Sequence, residues 1–296
     1  MNTAELLFAT HLAASAWGGA PLDSGIEALS SPGVRAAVEA GPALSRAAAR
    51  AADGAASPVD EIAPRGPWMR FVRELGAADG VAPGPGALFT AAAVLLRSFG
   101  EGAAESAGSE AAAAAEFLAL APATVGDLSA LPAHRPLSEF VLAHGGAVLV
   151  RDPDSRMTAA VAHTLRDREG RWTVEIFADV PMAPQAPSPA HAAAALTDAV
   201  HGAAELIAAG SGPYARENGG VLPEPELIDL PASMSSRCLE LVDRAETVER
   251  IRVAAIEAES RRGAPAQQQP ALWALQSAVN LARRAAVARF AAEQYE

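Results

Sequence analysis

The apolar residues of this chain recur at helical spacing almost everywhere except in one stretch, residues 147–180, where the period changes to that of strands. That change of period constrains the fold more than any other feature. Segments 147–151, 157–165 and 172–180 each read as a strand, separated by Pro153-Asp154-Ser155 and by Glu169-Gly170. A two-residue loop at Glu169-Gly170 pairs Arg168 with Arg171 and Asp167 with Trp172. It therefore sets Leu165 opposite Val174 and His163 opposite Ile176. The apolar positions then share one face, which predicts an antiparallel meander covered by helices on one side.

The rest of the chain reads as helix. In the first helix, 3–17, Asn2 and Glu5 have capping-box spacing and Gly18-Gly19 close the far end. From Leu6 to Ala16 it carries no carboxylate or arginine, and a helix apolar all round is a buried one. Alanine, a strong helix former, makes up a quarter of the sequence. It extends the helical reading to 34–52, 87–99, 111–120 and 190–209, with short helices at 68–75 and 137–144. Two long helices follow, 235–262 and 271–294. Cys238, Leu241, Val242, Ala245, Val248 and Ile256 form a stripe on the first, and Leu272, Leu275, Val279, Ala282, Ala286 and Phe290 on the second. These are the facing sides of an antiparallel αα-hairpin, and either stripe also suits a second subunit. The expected fold class is mainly α (α+β). It is a single, mainly helical domain over residues 1–296, with an inserted three-stranded antiparallel β-meander at 147–180 and a C-terminal αα-hairpin at 235–294.

Composition excludes several functions. Asp and Glu number 35 against 23 for Lys and Arg, a net charge of −12, which argues against nucleic acid and anionic membranes as partners. All the basic residues are arginine. Without lysine there is no internal Schiff base, no Walker A loop and no kinase phosphate lysine. A GC-rich genome accounts for that bias, and the exclusion holds regardless. Cys238 is the only cysteine, so neither an internal disulfide nor an all-cysteine metal site is available. The N-terminus lacks a basic, signal-like start, and no apolar run approaches the roughly 18 residues of a membrane span. The expectation is a soluble, cytoplasmic protein with no cofactor and no bound metal.

Among candidate functional residues, His163 falls on the inward side of the central strand with Val161 and Leu165. A partly desolvated imidazole beside a carboxylate suits acid–base work, and a hydrogen-bonded structural histidine fits the same position. His11, among Leu7, Phe8 and Leu12, carries the same two readings. Asp198, His201 and Glu205 share a helical face, as a metal site requires, but lie opposite Leu196, Val200, Ala203 and Ile207, as a solvated face does. Cys238 starts a helix beside Arg237, which favours a thiolate, yet sits in the middle of the apolar stripe. His144 suits the last turn of its helix, and His134 carries no signal. Arg283, Arg284 and Arg289 read as the outer face of the last helix. The long segment 210–231 holds Tyr214, Arg216, Glu217 and Asn218 between glycines, as a substrate-clamping lid or a solvated loop does.

Together these residues predict a small-molecule enzyme without organic cofactor, of hydrolase or lyase/cyclase type, acting on a specialised metabolite. His163, His11 and Glu217 are its catalytic groups, and Tyr214, Arg216 and Asn218 hold the substrate. The alternative is a non-catalytic partner subunit or an oligomeric ligand-binding protein, a homodimer or heteromer formed through the C-terminal hairpin.

Overall fold

The computed structural model describes residues 3–30, 36–41, 44, 84–103, 117–124, 128–152, 157–166, 169–210, 228–262 and 269–295. In chain order these form α1 (Thr3–Ala16), α2 (Leu22–Leu29), β1 (Ala36–Ala40), α3 (Pro85–Ala103), β2 (Leu118–Pro122), α4 (Arg135–His144), β3 (Gly146–Asp152), β4 (Met157–Arg166), β5 (Glu169–Ala178), α5 (Pro189–Gly210), α6 (Ser236–Arg262) and α7 (Gln269–Tyr295). The helix expected at 68–75 lies outside the described residues.

The expected three-stranded meander is overturned: the sheet has five strands, in the order β1-β5-β4-β3-β2, and is mixed. β2 to β5 are antiparallel neighbours, whereas β1 runs parallel to β5, with Val38 beside Trp172. Both added strands were hidden by alanine. Ala36–Ala40 forms an edge strand where 34–52 reads as helix. Its propensity is poor, but the free edge of β5 supplies a hydrogen-bonding template. Leu118–Pro122 forms the opposite edge, where alanine extends a helical reading to Leu120. Its Leu-Ala-Leu-Ala alternation suits a strand, and Pro122 is tolerated at an edge.

The turn of the β4–β5 hairpin also lies two residues earlier than expected. Pairing begins at Arg166↔Glu169, which puts Glu169 and Gly170 inside β5, and His163 faces Trp172 rather than Ile176. The slip is an even number of residues, so the inward set keeps its face. Leu165 is the exception: beyond the core at the strand end, it is 66% exposed.

Helices cover both faces of the sheet, not one. Val38, Leu118, Leu120, Val148, Val150, Val161, Trp172 and Val174 join the main core with α1, α3 and α7. Ala121, Ala147, Leu149, Ala160, Ala162 and Phe177 pack with Leu137, Phe140 and Val141 of α4 in a second cluster. Two-sided burial explains why β3 and β4 read as nearly continuous apolar runs. α1 is buried from Ala4 to Ser15, as its uniform apolarity requires, and Gly19 at φ 70 turns the chain out after it. α7 packs against α1, β2, α5 and α6 and so joins the sheet to the C-terminal helical layer. The expected stripe of α7 is buried; on α6 it is buried to Val248, while Ile256 is 38% exposed.

Candidate functional site

The residues singled out by sequence fall in separate places. His163 is 3% exposed, its ring 4.8 Å from that of Trp172. β3 pairs with β4 only as far as Val148↔Val161, so His163 lies past the end of that ladder. Its backbone N–H donates instead to Glu5 Oε1 of α1, at 3.3 Å. Burial lowers the imidazole pKa to about 4, because an imidazolium there would lose its hydration. Near neutral pH the ring is uncharged and packed on an indole.

His11 stands six residues along α1 from Glu5, about 9 Å of axial rise and about 120° around the helix. It is buried, with Nε2 2.7 Å from the backbone oxygen of Asp229. That oxygen only accepts, so Nε2 carries the proton, and His11 ties α1 to the segment leading into α6. The two imidazoles have different surroundings, His163 against Trp172 and His11 against the Asp229 backbone oxygen. Glu217, Tyr214, Arg216 and Asn218 lie outside the described residues, so the expected clamp has no geometry here.

Other expectations resolve more simply. Asp198, His201 and Glu205 are exposed, and among the described residues no group of His, Cys, Asp and Glu is arranged to hold a metal ion. Cys238 is buried, and desolvation pushes its thiol pKa up, outweighing a Ser235 hydrogen bond and nearby arginines. His134, silent in the sequence, caps α4 by accepting the Leu137 N–H at Nδ1, 3.2 Å away. His144 in the last turn of α4 has Nδ1 2.8 Å from Phe140 O.

The arginines of α7 correct a sequence expectation. Only Arg289 lies on the outside, paired with Glu293. Arg284 is buried and donates to Pro184 O at 2.8 Å. Arg283 is 1% exposed and grips both carboxylate oxygens of Glu246 on α6, at 2.7 Å each. Burial opposes its charge, but Glu246, Glu249 and the wholly buried Glu5 together raise its pKa. Glu249 in turn holds Arg252 through two bonds of 2.7 and 2.8 Å. This buried ionic seam welds α1, α6 and α7 and leaves its charges committed.

Among the described residues, a groove of about 410 Å³ between α5 and α6 has room for a visitor. Leu196, Thr197, Val200 and His201 line one wall, and Asp243, Arg244, Thr247 and Val248 the other. Each helix contributes residues i, i+1, i+4 and i+5, two successive turns of one face. Leu196 and Val248 are buried and form an apolar floor, extended by the partly exposed Val200. Thr197 Oγ1 donates to Ala193 O at 2.9 Å, and Arg244 reaches across to donate to Thr197 Oγ1 at 2.9 Å. The arrangement can seat an apolar body and meet its polar end with a guanidinium, a carboxylate, an imidazole and hydroxyls. Sequence reasoning reached only His201 among these polar groups, since nothing local says that α5 and α6 share a groove.

No protein-family model matches the chain, and neither a characterised protein nor a solved structure is similar to it.

Proposed function

We propose that this is a binding protein for a small amphipathic molecule, seated in the groove between α5 and α6. The observation that carries the reading is the groove itself. Its volume of about 410 Å³ lies in the range of small-molecule sites, and an apolar floor meets several polar side chains there. The two inward histidines, by contrast, serve the scaffold: His11 holds a backbone oxygen, and His163 stays neutral in a packed core. The net charge of −12 disfavours nucleic acid and anionic lipid as the ligand. A lone, buried cysteine suits the reducing cytoplasm, where we place the protein.

The test is a ligand-observed NMR screen of a small-molecule panel against the full chain, repeated with Thr247→Trp, which fills the groove from its rim. Hits that vanish in the variant support the reading; no hits, or hits indifferent to the substitution, overturn it. An acid–base enzyme of hydrolase or lyase type remains a second reading, favoured by one observation: His201 and Asp243 line the same groove. Turnover abolished by His201→Gln and retained by His163→Gln would support it.

A further inference from the structure

We propose that the groove between α5 and α6 takes a small zwitterion with an apolar side chain, in chemical class an apolar α-amino acid. This rests on the ligand-binding reading above and specifies its ligand. Asp243 and Arg244 are consecutive residues of α6, and both line the groove. One wall thus offers a carboxylate and a guanidinium whose Cα atoms are about 3.8 Å apart. A simple organic anion meets Arg244 but is repelled by Asp243; a simple amine meets the reverse. A molecule carrying an ammonium and a carboxylate on one carbon satisfies both.

Arg244 is also held in place. The Thr197 hydroxyl spends its hydrogen on Ala193 O and accepts from Arg244 Nη2 at 2.9 Å, which moors the guanidinium across the groove. Among the described residues that is its one hydrogen bond, so the other N–H groups remain to grip a carboxylate in the forked geometry arginine favours. Leu196, Val200 and Val248 supply apolar surface for the side chain, and the Thr247 hydroxyl and His201 imidazole add hydrogen-bonding groups.

The experiment is isothermal titration of the full chain with four probes of similar shape: leucine, 4-methylpentanoate, 3-methylbutylamine and 3-methylbutanol. Leucine should bind at least about tenfold more tightly than either singly charged probe, as expected when each charge makes its own hydrogen-bonded contact. Arg244→Gln should abolish the advantage of leucine over the amine, and Asp243→Asn its advantage over the acid. Both side chains are exposed, so both variants should keep the parent melting temperature. If the acid or the amine alone matches leucine, or if the charge variants leave leucine binding unchanged, the zwitterion assignment is wrong and groove binding stands. If all four probes fail while other panel members bind in the groove, the assignment is again wrong. If the panel fails as well, the binding reading falls with it.

Discussion

A histidine packed against an indole, as His163 is against Trp172, makes the fold sensitive to acid in a defined direction. The folded-state pKa is about 4, below the ordinary 6.5, so between those values the unfolded chain takes up a proton that the folded chain refuses. Stability should therefore be unaffected by this group above pH 6.5 and fall as the pH drops towards 4, by up to roughly 3 kcal/mol. Denaturant titrations at stepped pH check this, and His163→Gln should remove that part of the acid slope. The Cys238 thiol, buried and with a raised pKa, should resist thiol reagents in the native protein and label only as the chain unfolds. Labelling at native rates comparable to an exposed thiol would contradict this placement. His163 also shows how far a sequence reading of a residue goes. Alternation put it on the inward face correctly. Its neutrality depends on α1 and Trp172 closing over it, which no local pattern states.

At the scale of elements, the joint between α6 and α7 should behave as a buried ion pair. Arg283→Met strands Glu246 and takes a compensating positive charge from the wholly buried Glu5, so a loss of about 3–5 kcal/mol is expected in denaturant unfolding. Adding Glu246→Leu should recover part of that loss, and only part, because Glu5 keeps its burial. A second joint is steric. In α2, a Cβ at Gly25 would meet the ring of Phe89 from α3, which itself stacks edge-on to Phe8 of α1 at 5.9 Å. Gly25→Ala should cost roughly 1–3 kcal/mol, since the ring has no free direction in which to yield. The elements themselves divide by kind. α1 was legible from its cap and its unbroken apolarity, and β3 to β5 and the C-terminal hairpin from their patterns of apolar residues. β1 and β2 were not, because alanine-rich segments favour helix locally and become strands only when a neighbouring edge is offered. The register of β4 on β5 likewise followed from which pairs the core could close on, not from the glycine at position 170.

For the molecule as a whole, one core runs from the sheet through α1 and α7 into the C-terminal helices. Thermal unfolding should therefore be a single cooperative transition, seen alike by tryptophan fluorescence and by far-ultraviolet circular dichroism. Separate transitions for sheet and helical layer would show that the contacts of α7 do not couple them. Local spacing alone determined that helices dominate, that an alternating segment sits mid-chain, that α1 is buried all round, and that lysine-dependent chemistry is excluded. Those follow from each residue's neighbours along the chain and from the side-chain inventory. The tertiary structure decided which strands complete the sheet, that Arg283 and Arg284 turn inward, and that α5 and α6 leave a groove between them. Each of these depends on which distant surface a segment meets, because burial, pairing and charge compensation are properties of a contact and are absent from either partner alone.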